Sequence, residues 1–137
     1  MALGVSFTPD VAGTVTAIRF YKGAGNTGVH TGRLWSATGE NLATVTFANE
    51  SSAGWQSAQL STPLTLTAGT SYVVSYLAPQ GRYSVTSGYF SSAKTSGPLT
   101  VPVTGNGRYL YASTGGFPSQ SYKSSNYFVD ITFVPAT

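Results

Sequence analysis

Seven Lys and Arg residues, four Asp and Glu residues and one histidine carry all the charge chemistry of this 137-residue chain. The histidine, His30, lies in the run Phe20-Tyr-Lys-Gly-Ala-Gly-Asn-Thr-Gly-Val-His-Thr-Gly-Arg-Leu-Trp35, with Lys22, Arg33, Trp35 and glycines at 23, 25 and 28. An imidazole can act as a base, a metal ligand or a hydrogen-bonding group toward a ligand, but each role needs convergent partners. A Ser–His–Asp constellation would require His30 and a nucleophile elbow. The chain has no elbow, and Gly54-Trp-Gln-Ser57 does not qualify as one. Lys22-Gly-Ala-Gly-Asn-Thr-Gly28 looks superficially like a phosphate loop, yet it lacks the Gly-Lys-Ser/Thr ending and a following helix. It reads instead as a loop between strands. His30 then reads as a partly buried imidazole bonded to backbone beside a glycine turn, with ligand contact as the sharper alternative.

The acids are Asp10, Glu40, Glu50 and Asp130, far apart and without an Asp-x-Asp pattern. A glycosidase needs two positioned carboxyl groups, one held protonated. Four scattered acids do not promise such a pair, so no enzyme is expected. No cofactor is expected either. Calcium takes six to eight oxygens, and backbone carbonyls can complete a weak site around one acid; Asp10 and Asp130 are the candidates. Otherwise Asp130 is expected to pair with Arg19 or Lys22 across a sheet, since an ion in a sheet interior needs a partner. A self-formed amide crosslink needs a lysine, an asparagine and a buried acid, for which Lys22, Asn126 and Asp130 are a conceivable trio.

Composition narrows the setting. Only 8% of the residues are charged, against roughly 25% in average proteins, so Ser, Thr, Asn, Gln and Gly must supply the polar surface. The net charge of +3 comes from single, scattered bases rather than a stripe, so no nucleic-acid partner is expected. There is no cysteine, which removes disulfides and thiolate chemistry. No apolar run approaches the length of a membrane span, so no membrane insertion is expected. The N-terminus does not resemble a signal peptide, and the chain reads as one module excised from a larger multidomain protein.

Aromatic residues are the stronger signal. Nine tyrosines and seven phenylalanines exceed what one sandwich core needs. Tyr83, Tyr89, Phe90, Tyr109, Tyr111, Phe117, Tyr122 and Tyr127 crowd the second half among Ser, Gly and Asn. A tyrosine offers an apolar face and a hydroxyl, which suits sugar rings. The competing reading is that these rings pin a long loop onto the scaffold. Trp35 and Trp55 are expected in core or edge packing, because Trp is highly buried on average.

Helix signals are nearly absent, and turn residues recur every few positions, so the elements that must position these side chains are strands. They are expected at Leu3 to Thr8, Gly13 to Tyr21, Val29 to Ser36, Leu42 to Ala48, Gly54 to Leu60, Pro63 to Leu66, Ser71 to Ala78, Arg82 to Gly88 and Asn126 to Val134. Short strands are also expected at Leu99 to Val103 and Arg108 to Tyr111. Ala37 to Asn41 is a hairpin turn with Gly39 free to take positive φ. Pro63 marks an edge, because proline cannot donate to a ladder. Ser71 to Ala78 reads as a central strand. The loop-rich stretch from residue 89 to 125 is expected to cross one rim. The whole pattern predicts an all-β, antiparallel β-sandwich of jelly-roll type covering residues 1–137.

The ordered motifs carry a resemblance. Leu3-Gly-Val-Ser-Phe-Thr-Pro-Asp-Val-Ala-Gly13 leads into Ala17-Ile-Arg-Phe-Tyr-Lys-Gly23, Gly25-Asn-Thr-Gly, His30-Thr-Gly and Leu34-Trp-Ser-Ala-Thr-Gly39. Gly54-Trp-Gln, Leu66-Thr-Ala-Gly69, Gly88-Tyr-Phe90, Gly115-Gly-Phe-Pro118 and Ser125-Asn-Tyr-Phe-Val-Asp130 follow. Over nearly its whole length the chain resembles the DUF4082 family, a domain of unknown function. The resemblance implies a β-sandwich accessory module of large secreted or surface proteins of bacteria, beside neighbouring domains of the parent protein. It supplies no catalytic residues. Similar sequences often carry histidine at the positions of Leu77 and Arg82, so any site built on those two is altered here. The function expected is non-catalytic binding of carbohydrate through rim aromatics and polar loop residues. The candidate contacts are Lys22, Asn26, His30, Arg33, Tyr89, Tyr111, Phe117, Tyr122 and Asn126. The alternative is a structural spacer or adhesion domain with no small ligand.

Overall fold

The computed structural model describes residues 2–22, 30–47, 50, 54–77, 94–96, 99–101, 107–110, 118 and 129–135. Among these residues there is no helix and every strand pairing is antiparallel. The strands are β1 (Ala2–Pro9), β2 (Gly13–Lys22), β3 (Thr31–Ser36), β4 (Asn41–Thr46), β5 (Gly54–Leu66), β6 (Tyr72–Leu77), β7 (Lys94–Ser96), β8 (Leu99–Val101), β9 (Gly107–Leu110) and β10 (Val129–Pro135). They form two sheets. The larger, seven-stranded sheet runs β4-β3-β6-β1-β8-β7, with β9 also paired to β1, and the smaller runs β10-β2-β5. The chain changes sheet between β1 and β2, β2 and β3, β4 and β5, and β5 and β6, so the two halves are stitched together repeatedly. The jelly-roll connectivity expected from the sequence depends in its second half on residues outside those described.

Alternation decides what each strand buries. Leu3, Val5 and Phe7 of β1 pair with Tyr76, Val74 and Tyr72 of β6, and all six sit in the core. Val15, Ile18 and Phe20 of β2, Leu60 and Leu66 of β5, and Val129 and Ile131 of β10 meet them from the smaller sheet. The Phe20 and Tyr76 rings stack across this contact at 4.4 Å between centroids. Gly32 faces the same layer. A Cβ there would lie 3.0 Å from Ile18 Cγ2 and 3.1 Å from Phe47 Cε1, so a larger residue would press the two sheets apart.

The second face of the larger sheet is also covered. Val73 and Ser75 of β6 and Trp35 of β3 are buried there, and Trp35 Nε1 donates to Ser75 Oγ at 2.8 Å. Pro118 is buried over Gly4, whose Cβ, were it present, would sit 2.6 Å from the Val74 carbonyl oxygen and 3.2 Å from Pro118 Cγ. Both faces of β6 are therefore buried, which explains its apolar run and its central place between β3 and β1.

Several expectations are corrected. The runs at Gly54 to Leu60 and Pro63 to Leu66 are one strand, β5. Val15 pairs with Leu64 and Ala17 with Gln59, so a two-residue step on β2 spans a five-residue step on β5. That bulge holds Pro63, which has no N–H to give the ladder, and β5 lies at a sheet edge. A second irregularity lies between Leu34 and Trp35, which pair with Ala43 and Asn41. Leu42 is the extra residue, and both it and Ala43 pack on the core. The short strands expected near Leu99 to Val103 and Arg108 to Tyr111 are present as β8 and β9, and β7, which was not expected, joins them in the larger sheet, while Pro118 lies on that sheet's outer face. The hairpin turn stands as expected, with Gly39 at φ 95° and Gly39 N donating to the Ser36 carbonyl at 3.1 Å. Arg82 to Gly88 lies outside the described residues.

Candidate functional site

The last four residues of β2 build two different environments by alternation alone. Phe20 and Lys22 point to the core side, whereas Arg19 and Tyr21 point to the outer face of the smaller sheet. Each environment draws its remaining members from neighbouring strands and from Glu50.

The inner environment is ionic. His30 is 0% exposed, and its Nδ1 lies 2.9 Å from Glu50 Oε2 in a hydrogen bond and 2.9 Å from Oε1. Lys22 Nζ lies 3.2 Å from the same Oε1, with both side chains 12% exposed. Oε1 is buried and has no directed hydrogen bond among the described residues. Aromatic rings enclose the group. His30 is tilted against Phe20 at 4.8 Å and against Tyr76 at 6.2 Å, and Phe47 meets Phe20 edge-on at 4.8 Å. The main chain holds the imidazole as well, since Phe47 N donates to the His30 carbonyl at 3.0 Å. Breaking such a buried pair by removing one partner costs about 3–5 kcal/mol, because an uncompensated charge is left behind.

The outer environment is aromatic and open. Trp55 of β5 pairs in register with Tyr21 of β2. Their rings meet edge to face, 5.7 Å apart at 83°. The Arg19 guanidinium lies over the indole at 5.1 Å. Trp55 is 48% exposed and Tyr21 40%. Ser57 and Gln59 continue the same face of β5 and are exposed, and Thr132 of β10 is exposed in the row that pairs through Ala17 with Gln59. Asp130 of β10 pairs with Arg19 of β2 in the ladder register.

These positions revise the expected site. His30 and Lys22 were expected as one wall of a ligand site, but both are committed to Glu50 in the interior and present little surface to a ligand. His30, expected to be partly buried, is fully buried, and it meets an acidic partner. Glu50 supplies the partner from twenty residues away, a pairing that only the fold creates. Arg33 is half-buried on the outer face of the larger sheet, in register with Ser75 and Thr44, far in topology from Trp55. Asn26, Tyr89, Tyr111, Phe117, Tyr122 and Asn126 lie outside the described residues. Trp35 is buried as expected, while Trp55 sits on an edge strand but faces solvent. The crosslink trio of Lys22, Asn126 and Asp130 includes Asn126, which lies outside the described residues. Among the described residues no group of three or more His, Cys, Asp or Glu side chains could hold a metal ion.

Tyr21 and Trp55 were absent from the expected contacts, although the signal was present. Trp55, Ser57 and Gln59 alternate with Gln56, Ala58 and Leu60, which places the tryptophan on the polar side of its strand.

Two antiparallel sheets packed over a shared core, with a buried ion cluster inside and an aromatic patch outside, define an all-β two-sheet domain. The chain belongs to the family DUF4082, a domain of unknown function, whose model matches residues 1–129. No curated protein matches the chain, and no solved structure does.

Proposed function

We propose that this domain is a non-catalytic carbohydrate-binding module of a secreted or surface bacterial protein, and that its binding face is the outer face of the smaller sheet. The observation that carries this reading is the exposed Trp55–Tyr21 pair beside Arg19. A large indole half open to solvent on a flat strand surface is an unusual place to leave an aromatic ring. Its apolar face suits the C–H face of a sugar ring. The Tyr21 hydroxyl, the amide of Gln59 and the hydroxyls of Ser57 and Thr132 can bond the sugar's hydroxyls. The rings are perpendicular, so the patch offers one stacking face rather than a coplanar pair. The reading therefore predicts one principal sugar subsite on Trp55. The non-catalytic part is supported by the placement of the acids. Asp10 and Glu40 are exposed near turns, Glu50 is held by His30 and Lys22, and Asp130 stands opposite Arg19.

A structural spacer is the second reading. It is favoured by the Arg19 guanidinium, which already covers part of the indole. The experiment that separates the two is a screen of plant, fungal and bacterial glycans with the wild-type domain and Trp55→Ala. Binding by the wild type that falls at least tenfold in Trp55→Ala, with a stability loss of no more than about 1–2 kcal/mol, supports the module. No binding above background across the panel, or equal binding by the variant, overturns it in favour of the spacer.

A further inference from the structure

The inner cluster holds the three groups an amide-forming site needs: an amine, a carboxyl group and a proton carrier, all out of bulk water. We infer that Lys22 Nζ and Glu50 Cδ are the partners of an intramolecular amide crosslink, with His30 as the group that carries the proton. This inference is independent of what the outer face binds.

Three observations carry it. First, the amine and the carboxylate are in contact at 3.2 Å, and both side chains are 12% exposed, so the pair is fixed and nearly dry. Holding two reactants in place this way replaces a bimolecular encounter with an effectively unimolecular step. Second, His30 Nδ1 reaches both carboxylate oxygens at 2.9 Å, close enough to give and take a proton at either. Third, the two oxygens are not equivalent. Oε2 accepts the His30 hydrogen bond, while Oε1 is the buried oxygen in contact with the amine. Amide formation removes Oε1 and keeps the oxygen already bonded to His30.

The step balances without any co-reactant. The ion pair first becomes a neutral amine and a carboxylic acid by moving one proton from Nζ to the carboxylate. The Nζ lone pair then forms the bond to Cδ, giving a tetrahedral centre. His30 takes a second proton from nitrogen and returns it to the departing oxygen, which leaves as water while the C–O bond breaks. The products are one amide and one water, and His30 ends in the protonation state in which it began. The bond would tie the end of β2 to residue 50, giving a chain without cysteine a covalent staple of another kind.

The test is the intact mass of the fully folded wild-type domain, measured after denaturation. The expected result is the sequence mass less one water. A tryptic map should show no cleavage after Lys22 and a branched peptide joining Lys22 to Glu50. Lys22→Arg keeps the positive charge but lacks the amine, so it should give its full sequence mass. A wild-type mass equal to the sequence mass overturns the inference, and needs no variant to fold. A loss of ammonia in place of water, with Lys22 joined to an amide side chain, overturns Glu50 as the acyl donor.

Discussion

Two sides of one short strand end, Arg19 to Lys22, behave in opposite ways. On the inner side, Lys22 and Phe20 join a cluster in which every polar group is enclosed and the ions are matched at 2.9–3.2 Å. On the outer side, Arg19 and Tyr21 meet Trp55 at ring distances of 5–6 Å and stay partly in water. The same backbone supplies both, and the period of two along a strand is the whole cause. The difference lies in desolvation. A charge removed from water must be answered by a partner, so the inner groups are strongly coupled. A cation over an exposed ring loses little hydration and gains little, about 0.5–1 kcal/mol. The inner side should therefore govern stability, and the outer side should be open to substitution and able to exchange its contacts for a ligand's.

The largest effect should come from Glu50→Ala, which strands Lys22 and His30 together inside an aromatic shell. We expect a loss of about 3–5 kcal/mol in unfolding free energy, read as a lower urea midpoint with an unchanged slope. A loss below roughly 1 kcal/mol would mean that water reaches the cluster and that the contrast between the two sides is false. Next in size is Gly32→Ala. Its new methyl meets Ile18 and Phe47 at about van der Waals overlap, 3.0–3.1 Å, and overpacking of this kind costs about 1–3 kcal/mol. Unchanged stability would show that the two sheets can slide apart beneath His30, and the enclosure of the ions would then be loose.

Trp55→Ala should invert that pattern. Losing one edge-to-face contact and one cation over a ring should lower stability by about 1–2 kcal/mol at most. Glycan affinity should fall at least tenfold, which is about 1.4 kcal/mol of binding free energy. A stability loss as large as that of Glu50→Ala would mark Trp55 as a structural residue and remove the main support for a binding face.

The sequence makes these two sides unequally legible. Strand positions follow from alternation and turn residues, so β1, β2, β3 and β6 are recognisable to within one or two residues. The outer patch was in principle legible too, since Trp55 shares its strand face with Ser57 and Gln59. What hides it is the average tendency of Trp to be buried, a tendency that holds for Trp35 and fails at an edge strand. The inner cluster is not legible. Nothing local joins Lys22, His30 and Glu50, which come from a strand end and two connections. Their meeting depends on β2 and β3 lying in different sheets that face each other. The bulges at Pro63 and Leu42 escape for a related reason, because a slip in register depends on the partner strand and not on the residues that slip.

Arg19 gives the smallest expected effect and the finest test of the comparison. Its guanidinium touches the Trp55 ring, stands in register with Asp130 and adjoins Ile18, which belongs to the core. If the outer side is only loosely coupled, Arg19→Lys should keep the positive charge while losing the planar guanidinium over the indole. The cost should stay below about 1 kcal/mol. Trp55 fluorescence should shift, because the cation over the ring has changed, whereas the His30 imidazole resonances should not move. Movement of those resonances, or a loss approaching that of Glu50→Ala, would mean that strain at Arg19 crosses the strand to Lys22 and that the two sides form one network. In that case an occupied outer face would be felt by the buried ions, and glycan affinity and unfolding free energy would no longer vary independently.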